Sequence, residues 1–260
     1  VSSSPMSMFS ALTRHLRRGR PAPSTPLPPR IEAIRRDALK GHVLAQVQWG
    51  DVLLEGAYLT RNPAEARRWF AIAADAGFAP AHNMLGRCHH FGWGCTTDLT
   101  EAAAHYGRAG ELGDAWGLYN LGILTMRGRG VTQDLATALA LFRRAAAMGH
   151  AKSMNLIGRF TEEGWCTPRD PRLARDWYRR SAEGGDYRGQ HNHATALAEQ
   201  GDVGRALDWW RRAEPDATSD ILLAMARHLT QLGENGDPTL LTRVQARLKA
   251  MTGDETPPSF

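Results

Sequence analysis

Between Ala115 and Gly149 the chain runs AWGLYNLGILTMRGRGVTQDLATALALFRRAAAMG, and its features recur on both sides at one fixed interval. Gly50, Gly86, Gly122 and Gly158 are 36 residues apart. The same spacing relates Gly56, Gly92, Gly128 and Gly164, and again Gly41, Gly77, Gly113, Gly149 and Gly185. It also aligns Asn62 with Asp98, Asp134 and Asp170; Ala66 with Ala102, Ala138 and Ala174; Phe70 with Tyr106, Phe142 and Tyr178; and Ala73 with Ala109, Ala145 and Ser181. A period of this length marks an array of stacked units, none of which can bury its apolar face alone.

Each column has a physical role, and together they predict two antiparallel helices per unit. The second helix begins at Asn62, Asp98, Asp134 or Asp170, whose side chains accept hydrogen bonds from the unpaired N–H groups of a helix start. Pro63 and Pro171 follow at the first helical position, where a missing N–H costs nothing. Glu65 and Glu101 stand where a capping box would place them. Gly77, Gly113, Gly149 and Gly185 end these helices, because glycine takes the left-handed conformation of a C-terminal cap without steric cost. The first helix runs from about Ala79 to Phe91 and its equivalents, with Leu85, Leu121 and Ile157 facing inward beside the glycines of the first column, which let the helices approach closely.

Upstream, Ile34, Ala38 and Gly41 align with Phe70, Ala74 and Gly77, so residues 30–41 read as a lone second helix capping the array. Downstream, Ala206, Trp209, Trp210 and Ala213 match Ala174, Trp177, Tyr178 and Ser181 at a spacing of 32, which makes a final unit with a shortened loop. Two amphipathic helices within 214–251 read as the C-terminal cap, and 252–260 as a disordered tail. The units are thus 42–77, 78–113, 114–149, 150–185 and 186–213.

These units resemble Sel1-like repeats, relatives of the tetratricopeptide family. The resemblance is carried best by Leu121-Gly122, Gly128-Arg129-Gly130-Val131, Asp134, Ala138, Leu141-Phe142 and Ala145-Ala146-Ala147-Met148-Gly149. Tyr58 and Cys166 depart from it at the second loop glycine, and Trp49 at the leucine. The resemblance implies an all-α fold, a right-handed superhelical α-solenoid of stacked antiparallel helix pairs, whose first helices line a concave surface. It also implies an adaptor that binds other proteins, although some members have been credited with hydrolytic activity.

Composition narrows the classes further. With 42% hydrophobic and 23% charged residues the body is expected to fold, and no stretch approaches the roughly 20 apolar residues of a membrane-spanning helix. The net charge is +5, from 32 basic and 27 acidic residues. All of that excess sits in residues 1–31, where Arg14, Arg17, Arg18, Arg20 and Arg30 meet no acidic residue. The neutral remainder has no basic face of the kind nucleic-acid binding needs. Residues 1–29 read as a disordered basic and Pro-rich arm. Within it, residues 8–20 carry a weak amphipathic pattern that could touch an anionic membrane surface, and no export signal is read. Three cysteines, Cys88, Cys95 and Cys166, do not make a disulfide framework, so a reducing compartment, the cytoplasm, is expected; the chain is separately expected to be a monomer. Arg outnumbers Lys by 29 to 3, which hints at a GC-rich bacterial source.

No constellation speaks for catalysis, and neither a cofactor nor a metal is expected. Cys88, His89, His90 and Cys95 have metal-ligand chemistry, but the two cysteines fall in mostly apolar columns and read as small packed hydrophobes. Gly92-Trp93-Gly94 and Gly128-Arg129-Gly130 are turns rather than phosphate loops. Glu162 and Glu163 read as solvated. Trp69, Trp177 and Trp209 read as inter-helix core, like the aromatic residues that follow them.

Function in such an array is expected where columns stop agreeing. Positions at −6, −3, +1 and +4 from the first-column glycine form one helical stripe, which the family geometry would turn toward the groove. From it the candidate partner-binding residues are Asn83, Arg87, His90, Trp116, Tyr119, Met126, Lys152, Asn155, Arg159, Arg188 and His191. Aromatic residues and arginines anchor protein interfaces, Asn can grip an extended backbone, and Arg pairs with carboxylates. The expected ligand is therefore a protein or peptide segment of acidic character.

Overall fold

The structure, a computed structural model, describes residues 26–252. The amphipathic pattern of residues 8–20, most of the arm and the tail after Thr252 fall outside the described residues. The described end of the arm is not disordered: Leu27 packs against the first core cluster and Pro29 opens a helix.

Among the described residues there are thirteen α-helices and no strand. They are α1 (Pro29–Leu39), α2 (Val43–Glu55), α3 (Pro63–Asp75), α4 (Ala79–Phe91), α5 (Leu99–Glu111), α6 (Ala115–Arg127), α7 (Leu135–Ala147), α8 (Ala151–Glu163), α9 (Pro171–Glu183), α10 (Tyr187–Glu199), α11 (Val203–Ala213), α12 (Ser219–Gln231) and α13 (Pro238–Thr252). Two compact units are present. One holds the described residues up to Gly117 with Arg129–Val131; the other holds Leu118–Gly128 and the described residues from Thr132 onward.

In the first unit α1 to α5 pack each on the next. In the second, α7 to α11 do the same, α8 touches α10 as successive first helices, and α12 and α13 close the end. Both units are stacks of antiparallel helix pairs.

The packing rests on a single recurring contact. A Cβ added to Gly86, Gly122 or Gly158 would stand 2.5, 2.5 or 2.6 Å from the ring of Tyr106, Phe142 or Tyr178, and Gly50 faces Phe70 in the same way. The ring lies directly on the backbone of the first helix. On the second helix each ring is flanked four residues before and three after by a small residue, as in Ala102-Tyr106-Ala109 and Ala138-Phe142-Ala145, all essentially inaccessible to solvent. That spacing puts the three on one helical face. Ala206, Trp210 and Ala213 repeat it in the last unit, where Ala194 stands in the glycine column.

The loops are held by backbone bonds as periodic as the core. Asn62, Asp98, Asp134 and Asp170 each cap their helix with a side-chain oxygen, for example Asp98 Oδ1 accepting from Thr100 N at 2.9 Å and Glu101 N at 3.0 Å. The reciprocal half of the expected capping box is not made at Asn62 or Asp98. Their own N–H groups donate instead to Leu53 O at 2.8 Å and His89 O at 2.9 Å, and those of Asp134 and Asp170 to Thr125 O and Thr161 O at 3.0 Å. The turn back from the first helix therefore satisfies the N-cap donor before any Glu side chain can reach it.

Although Ile34 aligns with Phe70, it is only half-buried, and α1 is anchored by Ile31 and Ala38. One expectation needs correction. Trp69, Trp177 and Trp209 are half-buried rather than core, because the following residue takes the inward direction; Arg180 and Arg212 lie over Trp177 and Trp209 at 4.2 and 4.1 Å.

Cys166 has φ +54° at the loop position where Gly94 and Gly130 have +73° and +72°. A left-handed conformation costs an L-residue roughly 1–2 kcal/mol, so Cys166→Gly should raise stability by about 1 kcal/mol. Gly122→Ala should lower it by about 1–3 kcal/mol through overpacking against Phe142. Urea unfolding of the two variants beside the parent chain checks both.

Candidate functional site

In the first unit, α4 and the turn after it build an aromatic ladder. The His90 ring stacks on Phe91 at 4.5 Å, Phe91 on Trp93 at 5.0 Å, and the Arg87 guanidinium lies over Trp93 at 4.9 Å. Tyr106 OH and His90 Nδ1, 3.3 Å apart, tie the ladder to α5. Phe91 is 55% exposed, although its column elsewhere holds Glu55, Arg127, Glu163 and Glu199. Sequence reasoning took Phe91 as a helix end and Trp93 as a turn residue; the signal was an aromatic side chain in a column that is otherwise charged for Phe91, and for Trp93 the second tryptophan, Trp165, in the same column. Beside Arg87, half-buried Asp51 is pushed up to about 7 by burial, with the Glu55 carboxylate raising it further and Arg87 opposing the shift. Trp116 is half-buried, and Asn83, at 3% exposed, is part of the interior.

In the second unit the stripe divides in two. Arg159 is exposed, its guanidinium 5.2 Å above the ring of Trp165, two repeats beyond the Arg87–Trp93 stack. Lys152 and Tyr119 are half-buried, with Tyr119 4.9 Å from the His150 ring, and Met126 packs against the core. Burial raises the Tyr119 phenol, and the nearby Asp186 carboxylate raises it further. Asn155, 6% exposed, accepts at Oδ1 from Asn192 Nδ2 at 2.8 Å. His191, also 6% exposed, accepts the Trp210 Nε1 proton at 3.2 Å. Arg188 stacks on Tyr187 at 4.8 Å and pairs with Asp220 of α12 at 3.7 Å.

The expectation that Asn83, Asn155 and His191 offer their side chains to a ligand is thus corrected: they are buried structural groups. Arg188 is committed to the C-terminal cap. Glu162 is exposed but accepts a hydrogen bond from Tyr178 OH at 2.7 Å. Cys88 is fully buried and its thiol is pushed up to about 12, chiefly by that burial. Cys95 is half-buried, with Sγ 3.9 Å from His89 Nδ1. Among the described residues no three His, Cys, Asp or Glu side chains already surround one point.

Four segments, residues 43–78, 79–114, 117–150 and 151–186, match the Sel1 repeat, together more than half of the chain. The chain belongs to the Sel1 repeat family. Proteins of this family generally act as protein–protein interaction scaffolds. The Sel1 match stops at residue 186, so the pair α10–α11 lies outside it.

Among solved structures the chain is similar to a Sel1 repeat protein from Oxalobacter formigenes, at 24% identity and a TM-score of 0.72 over 85% of this chain and 99% of that one. A protective antigen of uropathogenic Escherichia coli with the same type of fold is 26% identical at a TM-score of 0.62, covering 87% of this chain and 52% of that one. An immunity protein from Pseudomonas aeruginosa shares the fold at 15% identity and a TM-score of 0.54, over 88% and 85%. No curated protein matches the sequence. No described helix is long and apolar enough to cross a membrane.

Burial of His191 in this Sel1 repeat chain has a consequence for pH. Its pKa falls from 6.5 to about 4, first through desolvation and then through the neighbouring His228. Above pH 6.5 the ring is neutral in folded and unfolded chains alike; below it the unfolded chain takes up a proton that the folded chain refuses until about 4. Stability therefore falls across that window, by on the order of 3 kcal/mol from this group. Asp51 and Asp186, raised by burial, act in the opposite direction, so the readout is a difference. His191→Gln should lose less stability than the parent chain between pH 6.5 and about 4 in urea titrations.

Proposed function

We propose that this chain is a non-enzymatic adaptor that binds a protein or peptide segment with acidic side chains on the first-helix faces of its units. The observation that carries this reading is the recurrence of one arrangement, Arg87 over Trp93 and Arg159 over Trp165. An arginine laid on an aromatic ring loses side-chain freedom but keeps the N–H groups on its edge. Arg159 is exposed, and Arg87 is half-buried with one Nη donating to Met84 Sδ at 3.5 Å. Such a group is preorganised for a carboxylate supplied by a ligand.

His90, Phe91 and Trp116 in the first unit and Tyr119, Met126 and Lys152 in the second provide the apolar and polar surroundings that protein interfaces favour. Asn83, Asn155, Arg188 and His191 support the face from within. Three unpaired cysteines favour a reducing compartment, hence the cytoplasm. The chain is proposed to act as a monomer, without an organic cofactor and without a nucleic-acid partner.

Affinity capture from the native cell extract tests the proposal, with the intact chain beside a variant carrying Arg87→Glu and Arg159→Glu. Both positions are outside the core, so helicity should stay unchanged. A protein held by the intact chain and lost by the variant is the expected result. Equal capture by both would remove the two arginines from the site.

A further inference from the structure

Three histidines of the second repeat meet between α4 and α5, and none of them belongs to the repeat pattern. The column of His82 otherwise holds Gln46, Leu118, Met154 and Gln190, and that of His105 holds Trp69, Leu141, Trp177 and Trp209. Every other unit folds without an imidazole at either position. Packing therefore does not require them, and their convergence in one unit calls for another reason.

His82 Nδ1 and His105 Nδ1 are 3.3 Å apart. Two nitrogens bound to one tetrahedral zinc ion at about 2.0–2.1 Å each stand at nearly this separation. Both rings are half-buried, so an ion from solvent can reach them. Desolvation lowers the pKa of each, with Arg108 adding at His82 and the other histidines at His105. Asp75 on α3 and Glu101 on α5 bring negative charge to the site, while the Arg108 guanidinium is itself paired with Glu111 at 3.1 Å. His89 is stacked with His105, the ring centroids 5.6 Å apart, and its Nδ1 is 3.9 Å from Cys95 Sγ.

We propose that His82 and His105 form a two-histidine site for a divalent transition-metal cation, bound through their Nδ1 atoms. Imidazole nitrogen suits zinc, copper and nickel, and the alkaline-earth ions prefer oxygen. Without metal the same atoms share one proton in an N–H···N hydrogen bond. Because among the described residues no third His, Cys, Asp or Glu converges on the point, the remaining coordination positions are assigned to water or to a side chain of a bound partner.

Isothermal titration of Zn²⁺ into the chelator-treated full chain tests the site. The variants His82→Leu and His105→Leu carry the residues that Leu118 and Leu141 provide in the next repeat, so the fold is already adapted to them. Far-ultraviolet circular dichroism confirms that they fold. Saturable one-to-one binding is expected in the parent chain and in His89→Thr, which copies Thr125 of the next repeat. It should be lost in His82→Leu and in His105→Leu, together with any rise in Tm on adding Zn²⁺. Absence of saturable binding in the parent chain would overturn the proposal. So would binding that survives both leucine variants.

Discussion

The constraint on which the structure depends is the missing side chain at one position of each first helix. Where Gly86, Gly122 and Gly158 stand, the backbone is in contact with an aromatic ring of the following helix, and even a methyl group would collide with it. A ring pressed on a backbone needs small neighbours on its own helix, and Ala102, Ala109, Ala138 and Ala145 supply them at full burial. The alanine-rich second helix is thus a consequence of the contact rather than a separate feature. Equal helix length follows too: the paired helices must keep this contact in register, and ten of the thirteen described α-helices run 13 residues.

The turns are fixed by the backbone. Each second helix starts where its N-cap N–H can donate to a carbonyl of the preceding first helix, and that bond recurs from Leu53, His89, Thr125 and Thr161. Arg61, Gln133 and Arg169, one residue before their caps, reach back to Leu54 O, Met126 O and Glu162 O at 2.8 to 3.0 Å. In a stack stabilised by nearest-neighbour contacts such bonds set the orientation of each pair locally. They leave the exposed first-helix positions free to differ from one repeat to the next.

The fold was legible because packing repeats and a repeated demand leaves repeated residues. The glycine, alanine, aromatic and N-cap columns state the helix pairs almost completely. What the columns could not show is what lies outside their period. Asn155 and His191 share a helical stripe with Arg159, but Asn192, Trp210 and His228 close over them; Trp210 belongs to the aromatic column of the last unit, and His228 lies on an aperiodic C-terminal helix. Arg188 is taken up by Asp220 for the same reason. The Arg–Trp stacks were half visible: the arginines stood out in their column, whereas Trp93 was hidden in what read as a turn and Trp165 was not singled out. The meeting of His82 with His105 depends on the register between two helices and on side-chain direction, neither of which a single column contains.

The proposed scaffold separates two tasks, with second helices and glycine columns holding the stack and departures on the first helices assigned to recognition. Hydrogen–deuterium exchange of the full chain, alone and with a partner recovered by capture, addresses that division most directly. The account predicts slower exchange on binding in α4 and α8 and in the turns that carry Trp93 and Trp165, with the second helices α3, α5, α7 and α9 unchanged. Protection confined to the second helices would contradict it.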